Sequence, residues 1–273
     1  MKSLAKHRRR NLKAFTLIEL LVVISIIATL AAMLLPVLAA VKNKAKVVKA
    51  QTEERDLVNA IQSYDSAYGR FPISSALQKN LQAQNWTGDF TYGGTLFQTQ
   101  FPTANPNFFT NNSEVIAILM NQTNYPSTGL ATANANFQKN PQQTIFLNAK
   151  MSGWDPSQGG NPLPGVGNDL VYRDPWGNPY IISMDLNYDD QCQDAMYSIQ
   201  VVSQNPPLPN PPYTKTGFYG LVNPNANPAT QAQKDDYLYH GKVMVWSAGP
   251  NGKIDPGDPA NDHENRDNVL SWQ

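Results

Sequence analysis

Apolar and polar positions divide this chain into three regimes. From Phe15 to Val41 almost every position is apolar, and the run from Leu20 to Val41 carries no formal charge. Wound as a helix at ~1.5 Å per residue, that run reaches about 33 Å, enough to cross a hydrocarbon layer of about 30 Å. Beyond Val41 the pattern becomes amphipathic. Val47, Ala50, Leu57, Ile61, Tyr64 and Tyr68 recur at spacings of three, four or seven, among Lys42, Lys44, Lys46, Lys49, Glu53, Glu54, Arg55 and Asp56. That spacing predicts a helical stripe over 42–69 that buries one face against a sheet. Gly69 marks its end and Pro72 its stop.

The third regime is short and broken. β-rich runs at Leu170–Tyr172, Tyr180–Met184, Met196–Val202 and Lys242–Ser247, separated by turn residues, predict an antiparallel meander. The segment Asp174-Pro175-Trp176-Gly177-Asn178-Pro179-Tyr180 reads as a turn, with Pro175 fixing φ, Gly177 relaxing it and Trp176 packing a sheet edge. Between about 80 and 168, Asn, Gln and Pro dominate, and no fixed repeat occurs. This stretch reads as loop-rich polar surface rather than core. The fold class that follows is α+β, a long N-terminal hydrophobic helix packed on a small antiparallel sheet with a C-terminal loop region. The expected division is a basic leader over 1–14, a membrane helix over 15–41, its amphipathic continuation over 42–69, and a head over 70–273. The head carries the polar insert and a tail loop over 247–272.

Charge sharpens the N-terminal reading. Formal charge sums to zero, with 21 basic and 21 acidic residues, but Lys2, Lys6, Arg8, Arg9, Arg10 and Lys13 all precede the apolar run. Without those cations the rest of the chain is about six units acidic, which argues against a nucleic-acid partner. Basic residues stay cytoplasmic by the positive-inside rule, which places the C-terminal part outside. Two readings of the run then stand. One is an uncleaved anchor. The other is a conventional secretory signal, for which Val37 and Ala39 are small enough to form a cleavage site and Ala40 would be the new N-terminus. The length of the run favours the anchor. Glu19 stands out within it, since an acid in a membrane helix is expensive unless it has a partner or lies near the hydrated interface.

The run Phe15-Thr16-Leu17-Ile18-Glu19-Leu20-Leu21-Val22-Val23-Ile24 after a short basic leader resembles the cleavage and methylation motif of type IV prepilins and type II secretion pseudopilins. The resemblance implies a prepilin peptidase that cuts between Ala14 and Phe15 and methylates the new amine of Phe15. Glu19 then takes the place of the family's fixed glutamate, which assembles subunits by pairing with a neighbour's amine, and Pro36 falls where the family often has a kinking proline. Ala14 departs from the family, which usually has Gly before the cut. Tyr68-Gly69-Arg70-Phe71-Pro72 and the Asp174–Tyr180 turn also resemble pseudopilin segments. The resemblance covers roughly 8–72 and 170–272 and leaves the polar insert outside it.

In the tail, Ser247-Ala248-Gly249-Pro250-Asn251-Gly252 opens a loop rich in hard oxygen donors that closes at Asp267-Asn268-Val269 and Trp272. Dense oxygen with little thiol or imidazole suits Ca²⁺, and equally an acidic solvated loop. The loop is similar to the calcium loop of major pseudopilins. That likeness implies Ser247, Asn251, Asp267 and Asn268 as ligands of a structural Ca²⁺, with Asn where the family usually has Asp in two places. Asp255, Asp258 or Asp262 is available to restore the lost charge. Cys192 is a lone thiol without an internal disulfide partner. His7, His240 and His263 sit in no nucleophile elbow, zinc-helix pattern or phosphate loop, so no enzymatic activity is expected. The family reading implies a type II secretion pseudopilus subunit, or else a type IV pilin used for adhesion, motility or DNA uptake. Its partners would be further copies of itself, minor pseudopilins, the prepilin peptidase and an inner-membrane assembly platform. It would be single-pass in the inner membrane with a periplasmic head.

Overall fold

The computed structural model describes residues 15–273. The chain divides into two compact units, Met1–Ala45 and Lys46–Gln273, and α1 (Leu17–Tyr68) contributes residues to both. The second unit therefore includes the helical segment 46–68 that the sequence division had kept apart from the head.

Within the first unit the described helix surface is apolar, with Leu17, Leu20, Ile24, Ile27, Leu34 and Leu38 all exposed. By length and composition this segment can cross a membrane.

In the second unit the core face of α1 runs through Ala50, Glu54, Leu57, Ala60, Ile61 and Tyr64. This is the predicted stripe with two additions, Ala60 and the acid at position 54, while Val47 and Tyr68 at its ends are half-buried. Gly69, at φ 63°, ends the helix by donating its N–H to the Asp65 carbonyl at 2.7 Å, a conformation a residue with a Cβ adopts only at a cost. The remaining helices are short: α2 (Ser75–Ala83), α3 (Gly94–Gln100), α4 (Ser113–Leu119), α5 (Gln200–Ser203) and α6 (Gln231–Lys234).

The strands are β1 (Phe90–Tyr92), β2 (Gly165–Val166), β3 (Tyr172–Arg173), β4 (Ile181–Met184), β5 (Val243–Ser247) and β6 (Val269–Leu270). Four of them form an antiparallel sheet in the order β1-β4-β5-β6, while β2 and β3 pair separately. The register sets Thr91 against Ser183, Ile182 against Val245, and Ser247 against Val269. Alternate residues of each strand serve two cores. Ile182, Met184, Val243 and Val245 pack with Leu57, Ile61 and Tyr64 of α1. Ile181, Met244 and Trp246 pack with Met196, Tyr197, Val202 and Tyr237 on the other face. A sheet covered on both faces needs apolar residues at successive positions, which is why Val243-Met244-Val245-Trp246 shows no polar alternation. The α+β class and the long helix with a small antiparallel sheet, the pilin-like arrangement, stand as expected.

Three expectations fail. Of Leu170–Tyr172 only Tyr172 lies in a strand, and Leu170 turns the chain at φ 58°. Met196–Val202 is not a strand, because the buried Asp194 carboxylate accepts the N–H groups of Met196 and Tyr197, both at 2.9 Å, and folds the chain into a turn that leads to α5. The polar insert is not mere surface either. It supplies β1, the sheet's first strand, and α4, whose Val115, Ile116, Ala117, Ile118 and Leu119 are fully buried. At ~1.5–3 kcal/mol for burying a large aliphatic side chain, α4 is a substantial part of the core. Side-chain amides hold the insert around it. Asn112 donates to the carbonyls of Tyr172 and Tyr180 at 3.0 and 2.8 Å and accepts from Tyr172 N–H at 3.0 Å.

Candidate functional site

The N-terminal site is built at the first turn of α1. Thr16 caps the helix, and Glu19 folds back on it. The Glu19 carboxylate accepts the Thr16 backbone N–H at 2.8 Å and the Thr16 hydroxyl at 2.7 Å, while Glu19 N–H donates to the Thr16 hydroxyl oxygen at 3.3 Å. This is a reciprocal capping arrangement that satisfies donors left over at a helix start. The Thr-x-x-Glu spacing was readable in the sequence, but the cost of an acid in an apolar run drew attention to Glu19 alone. Phe15 precedes the helix and is exposed. Ala14, the other residue of the expected cleavage site, and the leader over 1–14 lie outside the described residues.

The Asp174–Tyr180 turn is organised by its acid. Asp174 Oδ1 accepts the N–H groups of Trp176 at 2.8 Å and Asn178 at 2.9 Å, and Oδ2 accepts from Asn178 Nδ2 at 3.1 Å and the Ser247 hydroxyl at 2.5 Å. Asn178 Nδ2 also donates to the Gly249 carbonyl at 2.8 Å. The turn is thereby tied to the end of β5. Trp176 lies under the Lys46 ammonium, 5.7 Å from its ring centroid, so it packs on the helix side. Burial pushes the Asp174 carboxyl above its ordinary value, against the pull of the Ser247, Asn178 and Trp176 donors.

The tail folds back on β5. Gly249 lies so close to the Asp267 carbonyl that a Cβ there would meet it at 1.9 Å, and its φ is +62°, so only glycine fits. Asn265, almost fully buried, closes the loop. Its Nδ2 donates to the carbonyls of Asp255 at 2.6 Å and Asp258 at 2.8 Å, and its Oδ1 accepts Asp255 N–H at 2.9 Å. Sequence reasoning passed over Asn265 because it searched this run for charge.

The five residues expected to hold calcium are dispersed in role. Ser247 gives its hydroxyl proton to Asp174 and accepts Gly249 N–H at 2.9 Å. Asn251 donates to the Glu264 carbonyl at 2.8 Å and accepts Lys253 N–H at 2.9 Å. Asp255 accepts Gly257 N–H at 2.7 Å. Asp267 approaches β5 through its backbone. Asn268 donates to the Tyr197 hydroxyl at 3.0 Å, and its Oδ1 is buried without a partner. Among the described residues no group of three or more His, Cys, Asp or Glu side chains is placed to hold a metal. Ser247 and Asn251 already bond within the protein through their side-chain oxygens, and Asp255 does so through Oδ1 alone. Lys253 further neutralises the loop through Glu264 at 3.1 Å.

Residues 9–35 match the model of the prokaryotic N-terminal methylation motif. The match spans the end of the basic leader from Arg9, then Ala14, Phe15, Glu19 and most of the apolar run. No curated protein and no solved structure matches the chain.

Proposed function

We propose that this protein is a structural subunit of a prepilin-type filament, cut before Phe15 by a prepilin peptidase and assembled through its N-terminal helix. The observation that carries the reading is the pairing of that motif with a helix whose large apolar side chains between Leu17 and Val41 are exposed among the described residues. In lipid such a surface is at home; outside lipid it must be covered by copies of itself. Without a hydrophobic force between helices in the membrane, close packing and paired polar groups drive association. Glu19 fits this scheme in two states. In the single chain Thr16 supplies the donors that keep its carboxylate from standing bare in lipid, where an acid at mid-membrane costs ~2.5–3.5 kcal/mol or more. In the filament the methylated amine of a neighbour's Phe15 supplies the opposite charge, and that pairing fixes axial register.

Within this class we favour a type II secretion pseudopilus that drives protein export across the outer membrane, with the head periplasmic and the inner-membrane platform and minor pseudopilins as partners. The Asp174–Tyr180 turn tied to β5 and the absence of a C-terminal cysteine pair support that choice. The large folded insert favours the second reading, a type IV pilin for adhesion, motility or DNA uptake, since it adds α3 and α4 to the head.

Mass spectrometry of the protein from its own cells is expected to find methylated Phe15 at the N-terminus. Glu19→Ala is expected to leave that cut in place and to reduce filament assembly at least tenfold. An N-terminus at Ala40, or assembly indifferent to Glu19, overturns the proposal. Deletion separates the two branches: loss of extracellular protein release supports the pseudopilus, and loss of surface pili or motility with release intact supports the pilin.

A further inference from the structure

One cavity of the head is lined by cations and by no acid. It measures about 410 Å³, lies between α1 and the start of β5, and has Arg55, Asn59, Gln62, His240, Lys242 and Trp272 in its walls. Arg55 and His240 are exposed, and among the described residues neither makes an ion pair. Lys242 is shared between Asp65 at 3.4 Å and Asp190 at 3.5 Å, neither of which lines the cavity. The indole N–H of Trp272 is buried and finds no acceptor among the described residues. Arg55 and Lys242 carry fixed charge, and His240 adds a donor, with a charge when protonated. Converging donors of this kind suit an oxyanion, above all a carboxylate, which a guanidinium meets with two parallel N–H groups.

The same head carries the complementary charge on another surface. Between Lys253 and Asp267 the tail loop holds five acids, Asp255, Asp258, Asp262, Glu264 and Asp267, against two cations, Lys253 and Arg266. Lys253 is spent on Glu264 at 3.1 Å, and His263 stands beside Asp258 at 3.2 Å and Asp262 at 3.6 Å. Asp262 projects well into solvent, with 58 % of its side chain exposed against 32 % for Asp258. The loop is anchored through Ile254 and Ala260, which pack with Met244 and Trp246. The core residues of α1, Leu57 and Ile61, pack with Val243 and Val245 instead. Loop and helix therefore belong to opposite faces of the sheet, and the cavity lies on the helix side.

We propose that the 255–267 loop of one subunit docks, Asp262 foremost, into this cavity of the next, against Arg55 and His240. The inference rests on the filament reading, which brings copies of the head together, and charge complementarity selects the occupant. Because cavity and loop are different surfaces, the contact is heterologous. Every docked pair leaves one cavity and one loop unused, so the contact propagates along a polymer rather than closing as a dimer. Exposed ion pairs are individually weak. Their part is to choose the neighbour and its register, while packing of the N-terminal helices supplies most of the association.

The test is a charge swap in the full chain, expressed in cells in place of wild type. The altered positions are exposed, so each variant is expected to keep the wild-type melt and the cut before Phe15. Arg55→Glu and Asp262→Arg are each expected to lower filament yield about tenfold, and together to restore it to within about threefold of wild type. Lys215→Glu, at an exposed cation outside the cavity, is expected to change nothing. A chain carrying both His240→Cys and Asp262→Cys is expected to give, on mild oxidation, a ladder of dimers, trimers and longer species. Either substitution alone gives no ladder, since Cys192 is buried. Filaments without a ladder, Arg55→Glu assembling like wild type, or a double swap that restores nothing overturns the proposal and leaves the filament reading standing. Loss through Arg55→Glu with Asp262→Arg unaffected means that another anion fills the cavity, and overturns the loop as its occupant. A ladder in a protein whose assembly is indifferent to Glu19 keeps the contact and sinks the filament reading instead.

Discussion

Replacing Asp194 with alanine is expected to destabilise the head by ~4 kcal/mol, because it breaks a buried charged network and leaves its donors stranded. Asp194 is 0 % exposed and accepts four hydrogen bonds. Oδ1 takes the N–H groups of Met196 and Tyr197, both at 2.9 Å, and Oδ2 takes the Ser183 hydroxyl at 2.6 Å and Trp246 Nε1 at 2.9 Å. Because Ser183 donates to Asp194, its oxygen is left to accept from Thr91 at 2.8 Å, and Thr91 accepts Ala195 N–H at 3.0 Å. One carboxylate therefore joins β1, β4, β5 and the turn that displaced the expected strand. Burial pushes this carboxyl above its ordinary value and the surrounding donors pull it back. At ~2–4 °C per kcal/mol for a domain of this size, Tm should fall by on the order of ten degrees. Asp194→Asn is expected to fall between wild type and alanine, since its amide keeps an acceptor for the turn but faces Ser183 and Trp246 with a donor. Circular dichroism melts of the full chain in detergent measure both. A Tm for Asp194→Ala within two degrees of wild type would show that the network is not what joins these strands.

The network also marks where the sequence was legible. Long, regular patterns were read correctly: the apolar run, the 3.6-residue stripe over 47–68, the Gly69 stop and the strands near 181–184 and 243–247. Each rests on many residues that repeat one instruction. The failures are places where one polar side chain decides. The run Met196–Val202 has a strand's composition, but the single acid two residues before it captures two backbone donors and turns the chain. β1 and α4 were hidden because Phe90–Tyr92 and Val115–Leu119 are short apolar runs inside a stretch whose Asn and Gln content dominates any average. Those amides are themselves structural: Asn112 takes the place of a strand partner for Tyr172.

At the functional ends the same division holds. The processing motif was legible because it is a contiguous string, and its match over 9–35 agrees. Thr16 as the partner of Glu19 was overlooked although the spacing was present, because the acid was weighed only against lipid. The tail set came from resemblance and composition, and neither shows where an oxygen is already spent. Ser247 looked like a ligand and is a donor to Asp174. Glu54 was passed over because a stripe is counted from its apolar members, and nothing in sequence distinguishes an acid on the wet face from one turned into the core.

Glu54 carries the other large expected effect, on the pH dependence of stability. Burial first, then Asp174, with Glu53 adding and Arg55 opposing, pushes its carboxyl from 4.5 to about 9. The folded state therefore holds a proton that the unfolded chain releases near 4.5. Below that pH both states are protonated and the group costs nothing through ionisation. As pH rises from about 4.5 to about 9 stability is lost at ~1.4 kcal/mol per pH unit, reaching ~3 kcal/mol at neutral pH, and above about 9 the loss levels off. Glu54→Gln carries no such proton, so the variant's advantage over wild type should be near its minimum at about pH 5 and widen by ~3 kcal/mol or more towards pH 8. Asp89, which burial pushes up to about 7, is present in both proteins and cancels in the difference. Urea midpoints of the two proteins across this range measure the effect, and parallel curves would show that Glu54 ionises in the folded head as readily as in the unfolded chain.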